Sequence, residues 1–306
     1  MPNISLKQFL KSLPRDGQIY FKANPGNAGD AIIAASTYQL FKECELNIIS
    51  INSKDFDASN KIVIWGGGGN LVGLYPDLRD FLDKNHKRSK QFIVLPHTVS
   101  ENEKLLETLG ENVTIFAREQ VSYQHLLKHA KNATVYLDHD VAICLNVPYF
   151  IDSSKINIFN ALLLKIIYKL FNSSLARKVP SISIMIRNSI FEFNSLFLRS
   201  KETGNFFRDD VESLKLGTPK TNVDLSEMYE YGTHNEEIVH YTTQRLMRYI
   251  NHFSTVRTDR LHICIAAALL NKQVEFYPNS YFKCKAVYEY SLKEKFPNVK
   301  WMGNNY

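Results

Sequence analysis

The chain has 306 residues, which is enough for two domains of ordinary size or for one large domain. Hydrophobic residues make up 44% of it and charged residues 22%, values typical of a soluble globular protein. The net charge of +6 suits anionic ligands or an anionic membrane surface, but it is too small to indicate nucleic-acid binding, and no RNA-binding signature accompanies it.

The first half of the chain alternates short apolar runs with patterns of helical period. The predicted strands are Gln18–Phe21, Leu46–Ile51, Lys61–Trp65, Gln91–Leu95, Val113–Phe116 and Thr134–Leu137. The predicted helices lie between them, at Asp30–Phe41, Asp77–Leu82, Glu101–Leu109 and Glu119–His129. Such alternation predicts a parallel, doubly wound α/β sheet.

A second series of strands and helices follows after residue 180. It comprises strands at Ser181–Ile186, Ser254–Val256 and Val274–Phe276, and helices at Glu236–His252, after Asp259 and at Phe282–Leu292. The predicted fold is therefore α/β, with two Rossmann-like halves facing a central cleft. The predicted bounds are residues 1–150 and 181–306 for the two domains and residues 151–180 for a connector. Ligands of such folds bind at the carboxyl ends of the strands.

The connector at 151–180 interleaves apolar residues with lysines and arginines. Lys165 and Lys169 are four residues apart and therefore share one face of a helix. The run is too short and too interrupted to span a bilayer, but residues 156–171 have the composition of a helix that lies on a membrane surface. Packing of this amphipathic helix on the rest of the protein, or an oligomer contact, is the alternative.

Neither a secretory signal nor a transmembrane segment is predicted. Lys7, Lys11 and Arg15 interrupt the first twenty residues, and no run of eighteen uncharged apolar residues occurs. The four cysteines lack C-x-x-C spacing and are expected to be reduced thiols. The expected location is therefore the cytoplasm, with peripheral contact at the inner face of the membrane if the connector binds there.

Two glycine-bearing loops follow predicted strands of the first half. Asn24–Asp30 (N-P-G-N-A-G-D) leads from the first strand into a helix, and Gly66–Asn70 (G-G-G-G-N) follows the third strand. Glycine lets a ligand approach the backbone, and consecutive glycines leave amide groups open to it. Neither loop matches a dinucleotide fingerprint or a P-loop, so nucleotide binding is not indicated. One such loop is often a tight turn, whereas two at successive strand ends predict a binding crevice.

The pentapeptide Thr258–His262 (T-D-R-L-H) is the most informative segment. It follows a β-branched run and opens an apolar helical run, at a junction where backbone amides and the helix dipole favour an anion. In a regular helix Arg260 and His262 lie about 200° apart, so both reach one ligand only if the helix begins at or after Leu261. A capped helix with a surface arginine and a half-buried histidine is the alternative.

Six segments, taken in order, resemble the polysaccharide pyruvyl transferase family from about residue 20 to residue 292. They are N-x-G-D at 27–30, G-G-G-N at 67–70, Arg118-Glu119 after a strand, a strand ending in Arg187, T-D-R-L-H at 258–262 and N-S-Y-F-K at 279–283. The chain departs from the family pattern at Ile263 and Phe282, where glycine is usual, and at Cys264, where a second histidine is frequent.

The resemblance implies two Rossmann-like halves similar to GT-B glycosyltransferases, and transfer of pyruvate as a ketal from phosphoenolpyruvate to a sugar diol. The donor carries a phosphate and a carboxylate, so its pocket needs fixed cations and N–H donors. We expect the C-terminal half to bind it through Arg187, Arg260, Asn279 and Lys283, and His262 to carry the proton. Surface charges are the alternative interpretation of Arg187 and Lys283.

The N-terminal half is expected to bind the acceptor, a sugar or a lipid-linked oligosaccharide. Asp30 is the candidate base, and Asn27, Asn70, His97 and Arg118 are candidate contacts to sugar hydroxyls or to a neighbouring anion. A helix N-cap is the alternative for Asp30, and a salt-bridged helix start is the alternative for Arg118.

No metal is expected, and no cofactor is expected besides phosphoenolpyruvate as donor substrate. Asp138, His139 and Asp140 are adjacent, and adjacent residues rarely share one ion. Two other functions fit the same architecture: a GT-B-type glycosyltransferase with a nucleotide-sugar donor, and a non-catalytic, membrane-associated assembly factor. The second half lacks an obvious glutamate partner for a nucleotide ribose while it keeps Arg260 and His262, which favours the pyruvyltransferase.

Overall fold

The computed structural model describes residues 4–52, 55–152, 201–214 and 217–303. The chain divides into two compact units, each assembled from separate stretches of sequence. Unit 1 comprises the described residues within the ranges Met1–Pro25, Ile33–Leu145 and Phe282–Pro297. Unit 2 comprises the described residues within the ranges Gly26–Ile32, Asn146–Tyr281 and Asn298–Tyr306. The strand predicted at Ser181–Ile186, Arg187 and the connector from residue 153 onward lie outside the described residues. The domain bounds and the cleft between halves stay predictions.

Unit 1 contains one parallel sheet, which confirms the predicted α/β class. Its strands are β1 Ile19–Lys22, β2 Ile48–Ser50, β3 Ile62–Trp65, β4 Gly68–Leu71, β5 Gln91–Val99, β6 Val113–Ala117 and β7 Thr134–Leu137. The strand order is β2-β1-β3-β5-β6-β7, with β4 paired to β5. β3 and β6 are buried at every position, as expected of parallel strands covered on both faces.

Unit 1 departs from the predicted strands at two places. β5 does not end at Leu95 but continues through Pro96 to Val99, so His97 lies within the strand. The register on β6 shifts between Val94 and His97, so the missing N–H of the proline falls at an irregularity of the ladder. β4 forms in part of the glycine run predicted as a loop, because pairing with β5 compensates for the low strand propensity of glycine.

Ten α-helices are described, together with a 3₁₀ turn at Val141–Cys144 and a π-helical turn at Tyr288–Leu292. They are α1 Leu6–Lys11, α2 Ala28–Glu43, α3 Asp77–Asn85, α4 Glu103–Leu106, α5 Gln120–His129, α6 Val147–Asp152, α7 Leu225–Met228, α8 Glu236–Asn251, α9 Leu261–Leu269 and α10 Lys283–Val287. α4 is shorter than the predicted helix at Glu101–Leu109, because Glu101 and Asn102 adopt positive φ angles of 56° and 62°. Within the described ranges, no helix is both long and apolar enough to cross a membrane.

Unit 2 contains a second parallel sheet, with the strand order β11-β10-β9-β8. Its strands are β8 Lys201–Asn205, β9 Phe253–Thr258, β10 Gln273–Phe276 and β11 Val299–Trp301. β8 was not predicted, since its sequence K-E-T-G-N has no apolar alternation. The predicted helix at Glu236–His252 is confirmed as α8, which begins where Asn235 Oδ1 accepts from the Glu237 amide at 2.7 Å. α9 is buried along most of its length.

Candidate active site

The strand order of unit 1 reverses at β1 and β3, and open α/β sheets bind ligands at the carboxyl ends of such strands. The loops that follow these two strands meet at Asn24 and Gly66. Asn24 Oδ1 accepts a hydrogen bond from Trp65 Nε1 at 3.1 Å. A Cβ at Gly66 would lie 2.8 Å from the backbone nitrogen of Asn24, so this close approach requires glycine.

Arg118 and Lys283 both reach the backbone of Gly69 in unit 1. A Cβ at Gly69 would lie 2.8 Å from Arg118 Nη2 and 3.5 Å from Lys283 Cδ. Arg118 follows β6 directly and is buried, with Nη1 paired to Asp140 Oδ2 at 2.7 Å and Nε donating to Thr98 Oγ1 at 2.8 Å. Lys283, which was expected beside the donor residues of the C-terminal half, therefore lies in unit 1 beside a residue expected to bind the acceptor.

The helix start after Arg118 is built by its neighbour. Glu119 is the N-cap of α5, and its carboxylate accepts from the Ser122 amide at 2.9 Å. Burial raises the pKa of Glu119. Arg118 is thus salt-bridged to Asp140, while the capping role belongs to Glu119.

Asn70 and His97 form a second part of the unit 1 site. The Asn70 amide nitrogen donates to His97 Nε2 at 3.0 Å. Burial, with the charge of Arg118 second, lowers the pKa of His97 to about 3, so the ring is neutral at physiological pH. Within the described part of the chain, neither Oδ1 nor Nδ2 of the buried Asn70 side chain has a hydrogen-bond partner. His97 therefore fixes the backbone of Asn70, and the side-chain amide of Asn70 is suited to binding a ligand.

In unit 2, the first turn of α2 contacts the first turn of α9. Asn27 Oδ1 accepts from the Gly29 amide at 2.9 Å and so caps α2. A Cβ at Gly29 would lie 2.9 Å from Nδ1 of the half-buried His262. α9 begins at Leu261, and Arg260 before it is extended, with φ −88° and ψ 112°. This helix start meets the condition under which Arg260 and His262 can reach one ligand.

Asp30 also lies in the first turn of α2 and belongs to unit 2. The N-cap predicted as its alternative role belongs to Asn27 instead. The carboxylate of Asp30 folds back over Gly26, where any Cβ would collide with it. Asn27 and Asp30, expected on the acceptor side, are thus grouped with His262 and not with Asn70.

Arg260 is buried among carboxylates and is not the surface charge considered from the sequence. Its Nη1 pairs with Asp210 Oδ2 at 2.9 Å, and its Nη2 pairs closely with Asp224 and, at 3.5 Å, with Glu227 Oε1. Burial raises the pKa of Glu227, and a hydrogen bond from Asn27 opposes that shift. The three acids were missed, because they lie after β8 or at α7, elements that carry no recognisable motif.

Asn279 takes part in a neighbouring network of unit 2. Its Nδ2 donates to Glu212 Oε2 at 3.1 Å. Glu212 also pairs closely with Arg208, whose Nε lies 2.9 Å from Asp210 Oδ1. Asn279 therefore contacts an acid that pairs with Arg208, and Arg208 in turn pairs with Asp210, a partner of Arg260. Arg208 was missed together with β8.

Asp259 lines a cavity of about 210 Å³ at the carboxyl edge of the unit 2 sheet. Phe207, Asp259 and Tyr277 in its wall follow β8, β9 and β10, respectively. Asp259 Oδ1 accepts from the Arg208 amide at 2.9 Å, and burial raises the pKa of Asp259 to about 6. The only signal for this residue in the sequence was its place in T-D-R-L-H.

A family profile and a named relative both point to one family. A family profile described as "Polysaccharide pyruvyl transferase" matches residues 27–281, from the cap of α2 to the residue before Phe282. A Bacillus subtilis (strain 168) protein named "Putative pyruvyl transferase EpsO" is 26% identical, over 97% of this chain and 93% of its own length. A crystal structure of a functionally uncharacterised protein from Klebsiella pneumoniae subsp. pneumoniae is 28% identical and superposes with a TM-score of 0.73, covering 97% of this chain and 96% of that one.

Proposed function

The chain belongs to the polysaccharide pyruvyl transferase family, and from that premise we propose that it moves pyruvate from phosphoenolpyruvate onto two hydroxyls of a sugar. The product is a ketal, and phosphate is released. The polysaccharide under synthesis is a surface glycan such as an exopolysaccharide, a capsule or a cell-wall glycan. The observation that carries this proposal is the meeting of α2 and α9 at Gly29 and His262, beside Arg260.

The donor side of the proposal is unit 2. The amino-terminal ends of two helices are adjacent there, and the amino terminus of a helix carries partial positive charge. Arg260 adds a full charge, and its buried Nε has no hydrogen-bond partner among the described residues. Asp210 and Asp224 hold the guanidinium in place, so a donor phosphate or carboxylate meets an arginine that is already ordered.

His262 is the proposed proton carrier. Ketal formation adds one proton to the enol carbon of the donor, while two sugar hydroxyls each lose one. The first hydroxyl oxygen bonds to C2, phosphate leaves with the electrons of its C–O bond, and the second oxygen then bonds to C2. One hydroxyl proton thus accounts for the new methyl group and the other leaves with phosphate. Imidazole suits such transfers because it gains and loses a proton near neutral pH.

The acceptor side of the proposal is unit 1. Asn70 offers a buried side-chain amide that has no hydrogen-bond partner among the described residues. Arg118 and Lys283 both lie beside Gly69 in the glycine run that precedes Asn70. His97 supports this set through the backbone of Asn70. We assign sugar hydroxyls or an anionic substituent of the acceptor to these side chains, while Asp30 remains the candidate base.

The direct test is phosphate release from phosphoenolpyruvate with a panel of galactosides, glucosides and N-acetylhexosaminides, together with NMR detection of the ketal methyl group. Release with at least one acceptor and a new methyl signal are expected. Donor binding without release for any acceptor would favour a non-catalytic assembly factor. A rise in melting temperature with a nucleoside diphosphate, and none with phosphoenolpyruvate, would favour a glycosyltransferase.

The proposed location is the cytoplasm, with residues 156–171 against the inner membrane face, where a lipid-linked acceptor would be reached. Lys165 and Lys169 are four residues apart, so in a helix they would share one face, and each would contribute about 1 kcal/mol on an anionic surface. These residues lie outside the described ones, so the proposal rests on composition. Co-sedimentation with anionic vesicles should fall in Lys165→Glu/Lys169→Glu. If the wild-type protein stays in the supernatant at low salt, the membrane contact is wrong.

A further inference from the structure

Two short elements of unit 1 place four metal-ligand side chains on adjoining surfaces. Glu103 and Glu107 are four residues apart at α4, and His125 and His129 are four residues apart on α5. Side chains with this spacing point to the same face of a helix. A carboxylate oxygen of Glu103 and one ring nitrogen each of His125 and His129 all lie within 4.8 Å of one another.

Each imidazole also has one ring nitrogen turned to a protein acceptor. His125 Nε2 lies 2.8 Å from the carbonyl oxygen of Glu101, which can only accept, so Nε2 carries the hydrogen and the lone pair is on Nδ1. His129 Nδ1 lies 3.5 Å from Glu107 Oε1, an arrangement that leaves Nε2 for a ligand. Histidines that bind metals typically direct the second nitrogen to a carbonyl or a carboxylate in this way.

We propose that Glu103, His125 and His129 bind a divalent transition-metal ion of the Zn²⁺ type, with Glu107 orienting His129. Two imidazole nitrogens and one carboxylate oxygen suit Zn²⁺, whereas Mg²⁺ and Ca²⁺ require oxygen ligands. His129 is the last residue of α5, and the partial negative charge at a helix carboxyl terminus favours a cation. The expectation that the chain binds no metal considered Asp138–Asp140 only and did not anticipate this cluster.

Binding requires small side-chain movements that the surroundings permit. Ligand atoms about 2.0–2.2 Å from a tetrahedral ion are separated by about 3.3–3.6 Å, whereas the present separations extend up to 4.8 Å. Glu103 is exposed, and both histidines are half-buried, so their rotamers can adjust without moving the core. The ion would then fasten α4 to α5, the helix that begins immediately after Arg118 and Glu119. The site is therefore structural, and it is independent of the donor site in unit 2.

The test is calorimetric titration of Zn²⁺ into the metal-free, full-length protein. We expect saturation at one ion per chain and no comparable heat with Mg²⁺. His125→Gln/His129→Gln should weaken binding at least about 100-fold, and Glu103→Gln about 10-fold. His252→Gln is the matched control, because His252 Nδ1 contacts the Arg248 carbonyl at 2.7 Å, outside the cluster, and its affinity should be unchanged.

Circular dichroism checks that each variant folds. Zn²⁺ affinity that is the same in the wild type and in His125→Gln/His129→Gln would place the ion elsewhere, for instance at the exposed Cys144 thiol, and would overturn the proposal. If the double variant does not fold, Glu103→Gln decides, since its side chain is exposed: unchanged affinity in that variant contradicts the site. X-ray absorption of the zinc complex should show scattering from two imidazoles.

Discussion

Unit 1 and unit 2 each gather polar side chains near the carboxyl edge of a parallel sheet, but their charge balance is opposite. In unit 1, Arg118 pairs with Asp140. The side chains of Arg118 and of a second cationic residue, Lys283, both lie close to Gly69. In unit 2, Arg260 is paired with three carboxylates, those of Asp210, Asp224 and Glu227. The same architecture thus supports a site dominated by cations and a site in which an arginine is held by acids.

On the proposed assignment of the donor to unit 2, side-chain charge alone does not determine where the anionic donor binds. Unit 2 has more acids around its arginine, yet it adds two helix amino termini, whose N–H groups bind anions without a counter-charge. The carboxylates around Arg260 order the guanidinium and limit its affinity for unrelated anions. Substitutions that act on one unit and spare the other therefore test the account.

The largest expected effect is that of His262→Asn in unit 2. If His262 carries the proton, turnover should fall roughly 10²- to 10⁴-fold while donor affinity falls much less. Steady-state phosphate release with His252→Asn as a control separates this effect from general damage. Near-normal turnover would make His262 a packing residue and would direct attention to Asp30.

The second comparison is between two buried arginines, one from each unit. Arg260→Ala and Arg118→Ala should each destabilise the fold by about 3–5 kcal/mol, because each leaves a buried carboxylate without its partner. Only Arg260→Ala should also weaken phosphoenolpyruvate binding, by about 1.5–3 kcal/mol. Denaturant unfolding and calorimetric titration give the two quantities. Equal loss of donor affinity in both variants would remove the distinction between the units.

The third comparison concerns two buried groups whose pKa shifts have opposite effects on stability. Asp259 has a pKa of about 6 when folded and about 3.9 when unfolded, so its contribution to stability is lost as pH rises from about 4 to about 6. His97 has a pKa of about 3 when folded and about 6.5 when unfolded, so its contribution is lost as pH falls through that range.

The free energies of unfolding of the wild type and of variants that lack one of these groups should therefore change differently between pH 4 and pH 6. Relative to Asp259→Asn, the wild type should lose about 2 kcal/mol over this range. Relative to His97→Asn, it should gain stability. Curves that run parallel to the wild type in either variant would contradict the burial assigned to that residue.

The smallest expected effect is that of Gly29→Ala, which places a methyl group against His262 Nδ1. We expect turnover to fall about 10- to 100-fold, because small misplacements of a catalytic group are costly. The free energy of unfolding should not fall by a comparable amount, since alanine favours a helix over glycine by about 1 kcal/mol. Gly17→Ala is the matched control, because its Cβ meets nothing closer than 3.8 Å. Unchanged turnover in Gly29→Ala would mean that His262 needs no such positioning.

Six of the seven described strands of unit 1 were predictable from their apolar runs, and those of β3 and β6 are buried on both faces. β8 and β4 were not, since the first is polar and the second is partly glycine, and both exist because a neighbouring strand pairs with them. The helix predicted from Glu101 was too long, because two residues with positive φ precede α4.

For the site, the motifs identified the residues but not their grouping. Asn27 and Asp30 follow the first strand of unit 1 in sequence, yet Gly26–Ile32 belong to unit 2. Lys283 ends the last motif of the C-terminal half, yet it lies beside Gly69 in unit 1. The unit to which such a residue belongs depends on tertiary contacts between distant segments. Asp210, Asp224 and Glu227 were missed for the same reason, since only the fold brings them to Arg260.

The most direct test of the central claim is a crystal structure of the wild-type protein with phosphoenolpyruvate bound. The account predicts donor density in unit 2, with phosphate or carboxylate oxygens within hydrogen-bond distance of Arg260 and of the amides that open α2 or α9, and with C3 of the donor near His262. Density beside Arg118, Lys283 and Asn70 in unit 1, with Arg260 still enclosed by its carboxylates, would contradict it.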